Sequence, residues 1–440
     1  MIRFSALRHR FLSEYPLSLL TSYLAMAAGI VAQIFLVPIY LRSLGAKGFG
    51  ELVLVLGVLN YAGAGILWLG GVLQRALGEA FGKKDHLSFI RAADVGKMIY
   101  VGYAIAAAFV GICVFEGLDQ SQFPTGAAIA AGLYLVAAYE LNLERLALSA
   151  AGRQSASNTL QFSQIALYAI LVIFTLRAGG GLLGVFACQL ISVLITRTFV
   201  RAFWQGMRPK EQGRAPLRPF LARIASRTSG EYFIAGALLI STQSDVLLVG
   251  WLGGAEDAAR FVLIWKIAEV GVQVLWRIPE MMIPILIRLD AMGDHSSIKR
   301  QYLRVGFLLL ATAIPAGLIY AFLGPWITKL WLGAEHAPHD LLGFAIAGAS
   351  IVWAGLARLP SVLAYSLARF RIWNRLALVE VVARFALTVT LYPRFGYLSP
   401  LIALNAVHLC GIAFAYQWSG IRLLSKNSAR SDQMPAPISQ

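Results

Sequence analysis

The sequence predicts an all-α, polytopic membrane protein with about twelve transmembrane helices in two six-helix lobes. Three observations predict this class. Of the 440 residues, 58% are hydrophobic and only 14% are charged, whereas soluble domains carry about 25% charged residues. Apolar runs of about 18 or more residues, long enough to cross a bilayer, recur along the chain. A long polar interval divides these runs six and six. The high hydrophobic fraction and the low charged fraction exclude a soluble globular chain.

The apolar runs give the position of each predicted helix. They lie near residues 17–41, 51–73, 98–118, 125–147, 157–176, 181–200, 230–252, 261–286, 303–328, 341–367, 374–393 and 398–420. We therefore expect an N-terminal lobe at 1–200, a basic cytoplasmic linker at 201–228, a C-terminal lobe at 229–424 and a disordered cytoplasmic tail at 425–440. A Leu-Gly pair follows the first helix at Gly45 and the seventh at Gly253, which is a faint sign of an internal repeat.

The basic residues predict the orientation of the helices. The net charge is +16, which could indicate a nucleic-acid partner, but the positions of the charges favour membrane topology. Of the 38 Lys and Arg residues, 28 fall in segments on the side of the N-terminus, six fall on the other side and four lie within spans. This bias predicts cytoplasmic termini. The interval 197–227 holds eight basic residues against Glu211 alone, and it suits either anchoring on anionic lipid headgroups or recruiting a cytoplasmic partner.

Signatures of enzymes, metals and cofactors are mostly missing. The stretch Gly78–Lys83, GEAFGK, is one residue short of a phosphate-binding loop and follows no predicted strand. The three cysteines lie singly inside apolar runs, without disulfide or metal-ligand spacing. We therefore expect no enzymatic activity and no cofactor.

The eighth predicted helix, Phe261–Pro284, carries charge on one face. Within about 80° of arc it places Lys266, Glu269, Gln273, Arg277 and Glu280. An ionised side chain in hydrocarbon costs about 2.5–3.5 kcal/mol on insertion scales, so this face must meet protein or water. Two interpretations remain open: the charges pair at i,i+3, as Lys266 with Glu269 and Arg277 with Glu280, or they line a hydrophilic substrate path.

Other spans also carry ionisable groups. Arg358 lies well inside the tenth helix, too deep for its side chain to reach the lipid headgroups easily. Arg75 follows the second helix, from where its side chain can extend to the headgroups. Glu380 and Arg384 have the i,i+4 spacing of a pair. Asp245 has no cation at helical spacing in its own span; either it binds a coupling proton or sodium ion, or it pairs with a base from a neighbouring helix. Polar groups such as His408 are interpreted as helix–helix contacts.

Four stretches of the chain form a recognisable set: PIYLRSLGAKGFGE (Pro38–Glu51), STQSDVLLVGWLGGAEDAARF (Ser241–Phe261), LGPWITKLWLG (Leu323–Gly333) and LYPRFGYLSPLIAL (Leu391–Leu404). Together they resemble polysaccharide-unit flippases of the Wzx type, in the multidrug/oligosaccharidyl-lipid/polysaccharide (MOP) exporter superfamily. Their order and spacing cover both halves of the chain. The sequence departs from the family at Phe261, where Tyr is usual, and at the charged residues before it.

The resemblance implies an all-helical transporter of the bacterial inner membrane, whose lobes alternate access to carry a lipid-linked oligosaccharide outward. The expected partners are then membrane lipids, a glycan polymerase and other polysaccharide-assembly proteins. No nucleic-acid partner is expected. We hypothesise that Lys266, Arg277, Arg358 and Arg384 supply positive potential to the substrate cavity, with Arg75 at its cytoplasmic mouth, and that Asp245 or Glu269 binds the coupling ion. An ion-coupled drug exporter, a membrane scaffold and, more distantly, a glycan polymerase stay open; the glycan, the ion and the oligomeric state are not given by the sequence.

Overall fold

The computed structural model describes residues 2–83, 85–117, 124–205, 231–367 and 370–418, and this part of the chain is almost entirely helical and has no β-strand. The helices are α1 Ile2–Gly82, α2 His86–Gly117, α3 Thr125–Ala150, α4 Gln154–Arg177, α5 Gly181–Gln205, α6 Glu231–Glu280, α7 Ile283–Ala291, α8 His295–Leu332, α9 Leu341–Ser366, α10 Phe370–Phe395 and α11 Ser399–Val407. A 3₁₀ turn, Gly396–Leu398, separates α10 from α11, and a π turn, His408–Ile412, follows α11. The predicted all-α class is confirmed.

Two of the helices are interrupted by a glycine. In α1 the break is at Gly45, with φ 72° and ψ 175°, and in α6 it is at Gly254, with φ 80° and ψ −174°. Only glycine adopts this region of backbone space without strain. The Leu-Gly pairs of the sequence therefore mark real breaks. In the second half of the repeat, however, the glycine that matches Gly45 in conformation is Gly254 rather than Gly253.

The helices are long and apolar enough to cross a membrane many times. Within the described residues, nine helical stretches meet this condition, and three of them are 43, 47 and 46 residues long. A span needs about 20 residues, so each of these three is long enough for two spans. They contain the breaks at Gly45, at Gly254 and at Gly396–Leu398. The described chain is therefore a multi-pass membrane protein, and the number of twelve spans stays a prediction.

The chain divides into two compact units, Met1–Tyr232 and Phe233–Gln440. The division falls just after the segment for which we predict a linker. Most of that segment, at 206–230, and the predicted tail lie outside the described residues, so the predicted domain limits stay predictions.

The first unit is built around the contact of α1, α2 and α3. Leu73 and Leu77 of α1 are fully buried, and they pack with Tyr100 of α2 and with Tyr139 of α3. A Cβ atom added at Gly96 of α2 would lie 2.3 Å from a methyl carbon of Leu73. The missing side chain therefore permits the close approach of α2 to α1.

In the second unit α8 and α9 approach each other closely. A Cβ atom added at Gly317 would lie 2.5 Å from the carbonyl oxygen of Gly348, and one added at Gly348 would lie 2.4 Å from the carbonyl oxygen of Gly317. Backbone thus meets backbone at this crossing, as is typical of small residues at helix contacts in membranes. This contact fixes α9, which carries Arg358 toward its C-terminal end.

Candidate functional site

The candidate residues are concentrated in the second unit. Asp245, Lys266, Glu269 and Arg277 lie on α6, Arg358 lies on α9 and Arg384 lies on α10. The remaining candidate, Arg75, lies in the last part of α1 in the first unit, and its side chain is outside the described part of the structure. The structure thus brings most of the predicted ionisable groups onto three helices of one unit.

On α6, Lys266 and Glu269 pair with each other. Lys266 Nζ lies 3.0 Å from Glu269 Oε2, and Gln273 Nε2 donates to Glu269 Oε1 at 3.3 Å. Both carboxylate oxygens of Glu269 therefore have partners, all on the same helix face. The i,i+3 pairing that helical spacing allows is present, and a coupling-ion role for Glu269 stays a prediction.

One carboxylate, Glu280, is shared between two arginines. Arg277 Nη1 lies 2.9 Å from Glu280 Oε2 on the same helix, while Arg358 of α9 donates to Glu280 Oε1 from Nε at 3.1 Å and from Nη2 at 2.5 Å. The side chain of Arg277 is 55% exposed, against 23% for Arg358 and 20% for Glu280. We call these three residues the Glu280 cluster; with two guanidinium groups and one carboxylate it carries one positive charge in excess.

A tryptophan positions the guanidinium of Arg358. The group lies 5.3 Å from the centroid of the Trp276 ring, a cation–π distance. The indole N–H of Trp276 in turn donates to the carbonyl oxygen of Ala354 at 2.8 Å, one helical turn before Arg358. The ring is therefore anchored to α9, and it holds the arginine toward α6.

Asp245 pairs with a base from another helix. Arg384 Nη2 of α10 donates to Asp245 Oδ2 at 2.6 Å, and Arg384 Nη1 lies 3.8 Å from Glu380 Oε1. All three side chains are close to fully buried. The structure therefore shows Asp245 paired with a base from a neighbouring helix, which is one of its two interpretations. The predicted i,i+4 pair of Glu380 and Arg384 is also present, at 3.8 Å.

Two residues for which the sequence predicted no role in the site complete this group. His408 Nε2, in the π turn, lies 3.5 Å from Glu380 Oε1, and Tyr416 donates to Glu380 Oε2 at 2.6 Å. His408 and Tyr416 are each 1% exposed. We call Asp245, Glu380, Arg384, His408 and Tyr416 the Glu380 network. The signal that could have found His408 was its ionisable ring within an apolar run, which we interpreted as a helix contact.

The first unit has an ionic group of its own. Arg197 of α5 forms ion pairs with Glu140 and Glu144 of α3, and Lys97 of α2 lies 3.1 Å from Glu140. Arg197, which we counted with the basic interval, is buried within α5. Arg145, also on α3, donates to Gln161 of α4 at 2.5 Å. These pairs tie α2, α3 and α5 together.

Outside the spans, Asp294 caps the start of α8. Its carboxylate accepts from the backbone N–H of Ser297 at 3.0 Å and from the hydroxyl of Ser296 at 2.8 Å. Hydrogen bonds from the hydroxyl and the N–H of Ser297, together with that of Ser296, lower the pKa of Asp294 to about 2. The group is therefore an ionised helix cap at neutral pH.

Among the described residues, no group of three or more His, Cys, Asp and Glu side chains is placed to hold a metal ion. The three cysteines are free thiols. The expectation that the protein uses no cofactor stays a prediction.

Comparisons with known proteins give the fold a wider context. No family model matches the sequence, and no curated protein matches it significantly. Among solved structures, the chain is similar to an inward-facing multidrug-resistance MATE transporter of the MOP superfamily, with 13% identity, a TM-score of 0.66 and coverage of 92% of this chain and 96% of that one. The outward-facing form of a MATE transporter of that superfamily matches with 14% identity, a TM-score of 0.61 and coverage of 96% and 97%.

A further similar structure is a MOP-superfamily transporter from Pyrococcus furiosus, described as having a binding pocket of reversed polarity that suggests a different function. It matches with 13% identity, a TM-score of 0.58 and coverage of 95% of each chain. At such identities the likeness establishes the fold. The chain therefore has the fold of MOP-superfamily transporters, as the sequence resemblance implied, while the flippase subtype stays a prediction.

Proposed function

We propose that this protein is a membrane transporter that moves a lipid-linked, polyprenyl-pyrophosphate oligosaccharide from the cytoplasmic to the outer leaflet by alternating access. The step serves surface-polysaccharide biosynthesis in the bacterial inner membrane, with both termini cytoplasmic. A glycan polymerase and other polysaccharide-assembly proteins are the partners that would use the product. The fold shared with inward-facing and outward-facing MOP transporters supports the alternating-access part of this proposal.

The observation that carries the choice of an anionic substrate is the Glu280 cluster. Two guanidinium groups face one carboxylate, so one positive charge is left uncompensated at a depth where the sequence places hydrocarbon. A charge at that depth is costly in lipid, and it is retained where it meets water, a partner or a ligand. Arg277, more than half exposed, is the member that is free to reach a ligand.

Pyrophosphate is the chemical group that suits this cluster. Its oxygens accept paired hydrogen bonds from the planar guanidinium fork, and charge-assisted bonds of this kind are about twice as strong as neutral ones. The pyrophosphate would neutralise the excess charge of the cluster while it crosses the membrane. Arg358, held by Trp276 and Glu280, would present a fixed fork beside the more exposed Arg277.

The other candidate cations have weaker claims on the substrate. Lys266 is neutralised locally by Glu269, and Arg384 is enclosed by two carboxylates. In this proposal both adjust the potential along the path rather than bind the pyrophosphate. Arg75 is proposed at the cytoplasmic mouth from its sequence position alone.

A transport assay tests the proposal. Purified protein is reconstituted in liposomes that carry a fluorescent polyprenyl-pyrophosphate disaccharide in one leaflet, and the transfer is followed by chemical quenching of the accessible leaflet. We expect Arg277→Ala and Arg358→Ala to slow transfer at least tenfold, because each removes a guanidinium that is needed in the cluster. Arg260→Ala is the matched control, since Arg260 is 60% exposed beside Asp257 at the far end of the same span. Equal rates in all three variants would refute a role for the cluster.

An ion-coupled exporter of drugs or small molecules is the second candidate. The observation in its favour is that solved structures with this fold include multidrug-resistance transporters. Such an exporter would bind organic cations through carboxylates, so the buried acids of the Glu380 network would matter more than the arginines of the Glu280 cluster. Uptake of a fluorescent organic cation by the same liposomes, together with no transfer of the pyrophosphate lipid, would favour this candidate.

A further inference from the structure

We propose that Glu380 and His408 form the proton-binding pair that couples the transport function proposed above to a proton gradient. Asp245, which the sequence marks as a coupling-ion candidate, would contribute by holding Arg384 beside the pair. The residues that bind the proton are therefore on α10 and in the π turn, rather than on α6.

The Glu380 network holds more negative than positive charge. It contains two carboxylates, Asp245 and Glu380, and one guanidinium, Arg384. With His408 neutral, the network carries one negative charge among side chains that are all at least 88% buried. An uncompensated charge in such surroundings is unfavourable. One added proton makes the network neutral, so burial itself favours proton uptake.

Within the Glu380 network, His408 Nδ1 is the atom that can accept the proton. Both oxygens of Glu380 already have partners, since Oε1 faces Arg384 and His408 and Oε2 accepts from Tyr416. Asp245 Oδ2 accepts from Arg384. His408 Nδ1 is buried, and no residue in the described part of the chain forms a hydrogen bond with it. In the neutral ring with the hydrogen on Nε2 toward Glu380, Nδ1 carries a free lone pair, and protonation there yields an imidazolium that faces the carboxylate.

The imidazole of His408 is surrounded by residues from several helices. From α10 it meets Glu380, with Arg384 beyond it, and from α6 the nearest member of the network is Asp245. Tyr416 reaches the same carboxylate from the helical segment at 413–418. From α9 the packed group is the uncharged Trp353 indole, which stacks on the ring at 6.3 Å with 7° between the planes. An aromatic face stabilises a cation, so this contact also favours the imidazolium.

The backbone at His408 gives the proton a structural consequence. His408–Ile412 forms a π turn, with Gly411 at φ 123°. Such turns leave the regular hydrogen-bond ladder and are frequent at functional sites. Protonation would draw the imidazole toward Glu380 from its present distance of 3.5 Å. The turn would then move relative to α10, which links proton binding to a change in helix packing.

The stacked Trp353 supplies a direct test of proton binding that does not depend on transport. An imidazolium quenches the fluorescence of an indole in contact with it, so the fluorescence of purified protein in detergent should fall in a step as the pH is lowered. We expect the step to disappear in His408→Gln and in Trp353→Phe, and to persist in His339→Gln, an exposed histidine before α9. Replacing sodium with potassium should leave it unchanged. A step that survives both substitutions, or that responds to sodium rather than to pH, overturns the proposal. If His408→Gln does not fold, Trp353→Phe decides.

Transport measurements then separate this proposal from the one it rests on. With the fluorescent pyrophosphate lipid in liposomes, one pH unit across the membrane should change the final leaflet distribution up to about tenfold per coupled proton. The response should be lost in His408→Gln and retained in His339→Gln. If the pH gradient does not change the leaflet distribution reached by the wild-type protein, the proton-coupling proposal is overturned, but the proposed transport function is not. A fluorescence step without any lipid transfer supports the proton site and contradicts the transport function.

Discussion

Removing either partner of the buried pair between Asp245 and Arg384 should destabilise the second unit strongly. Their side chains are 11% and 8% exposed, and they join α6 to α10 through a bond of 2.6 Å. Breaking a buried ion pair by removing one partner costs about 3–5 kcal/mol, because the other charge is left uncompensated. In Asp245→Asn, Arg384 keeps Glu380 at 3.8 Å and no charge is left uncompensated, so we expect a loss below that range, about 2 kcal/mol for the charged hydrogen bond that is removed.

The two partners should not be equivalent. Arg384→Met leaves Asp245 and Glu380 without the guanidinium between them, so it should cost more than Asp245→Asn, about 4–5 kcal/mol. The double variant removes one charge of each sign and leaves Glu380 with His408 and Tyr416. Its loss should therefore be smaller than the sum of the two single losses, by a coupling free energy of about 2 kcal/mol.

The assay is equilibrium unfolding of the purified variants in mixed micelles, followed by far-UV circular dichroism, with melting temperatures as a second measure. A loss of about 3 kcal/mol corresponds to a shift of about 6–12 °C for a unit of this size. Arg260→Met is the control, because the exposed pair of Arg260 and Asp257 should contribute less than about 1 kcal/mol. A coupling free energy below about 0.5 kcal/mol, or a smaller loss for Arg384→Met than for Asp245→Asn, would refute the reasoning.

Three further predictions follow from other contacts. Gly348→Ala should lower the melting temperature by several degrees, because its Cβ would lie 2.4 Å from a backbone oxygen of α8, whereas Gly102→Ala, with nothing within 4 Å, should be neutral or slightly stabilising. Because the pKa of Asp294 is held at about 2, below the value of about 4 for an unfolded chain, its cap should stabilise the start of α8 above about pH 4 and lose this effect as the pH falls through about 2. Hydrogen exchange of the first amides of α8 should thus be faster in Asp294→Ala than in wild type at pH 6, and an equal rate would contradict the cap. Trp276→Phe keeps an aromatic ring beside Arg358 but loses the hydrogen bond to α9, so it should slow lipid transfer less than Arg358→Ala does. A larger effect of Trp276→Phe than of Arg358→Ala would contradict a positioning role for the indole.

Local periodicity was enough to predict the pairs within one helix. Lys266 with Glu269 and Arg277 with Glu280 are neighbours on any α-helix, because residues three apart share a face. The break after the first helix was signalled by a Leu-Gly pair. In the second half the sequence offered two consecutive glycines, and the one with the non-helical backbone, Gly254, could be chosen only from the dihedral angles.

The pairs between helices could not be predicted in this way. Arg358 and Glu280 are 78 residues apart, and Arg384 and Asp245 are 139 residues apart. Which helix faces meet is decided by packing, such as the Gly317–Gly348 contact, and hydrophobic periodicity does not encode it. His408 was missed for a related reason, since the π turn that places its ring beside Glu380 has no clear sequence signature.

Helix ends were also set by more than hydropathy. The second predicted span ends near residue 73, but α1 continues to Gly82. An apolar run predicts the part of a helix that crosses hydrocarbon, and the helix itself continues for as long as its backbone hydrogen bonds persist. The sequence therefore predicted where the apolar helices lie better than where each helix ends.

The central claim, that the Glu280 cluster recruits a pyrophosphate, is tested most directly by the affinity of purified protein for polyprenyl pyrophosphate in Glu280→Gln. Glu280 competes with the ligand for both guanidinium groups, so its neutralisation should tighten binding, while Arg358→Ala should weaken it at least tenfold. Opposite signs for the two substitutions are the predicted result. Weaker binding in both variants, or binding unaffected by either, would contradict the account.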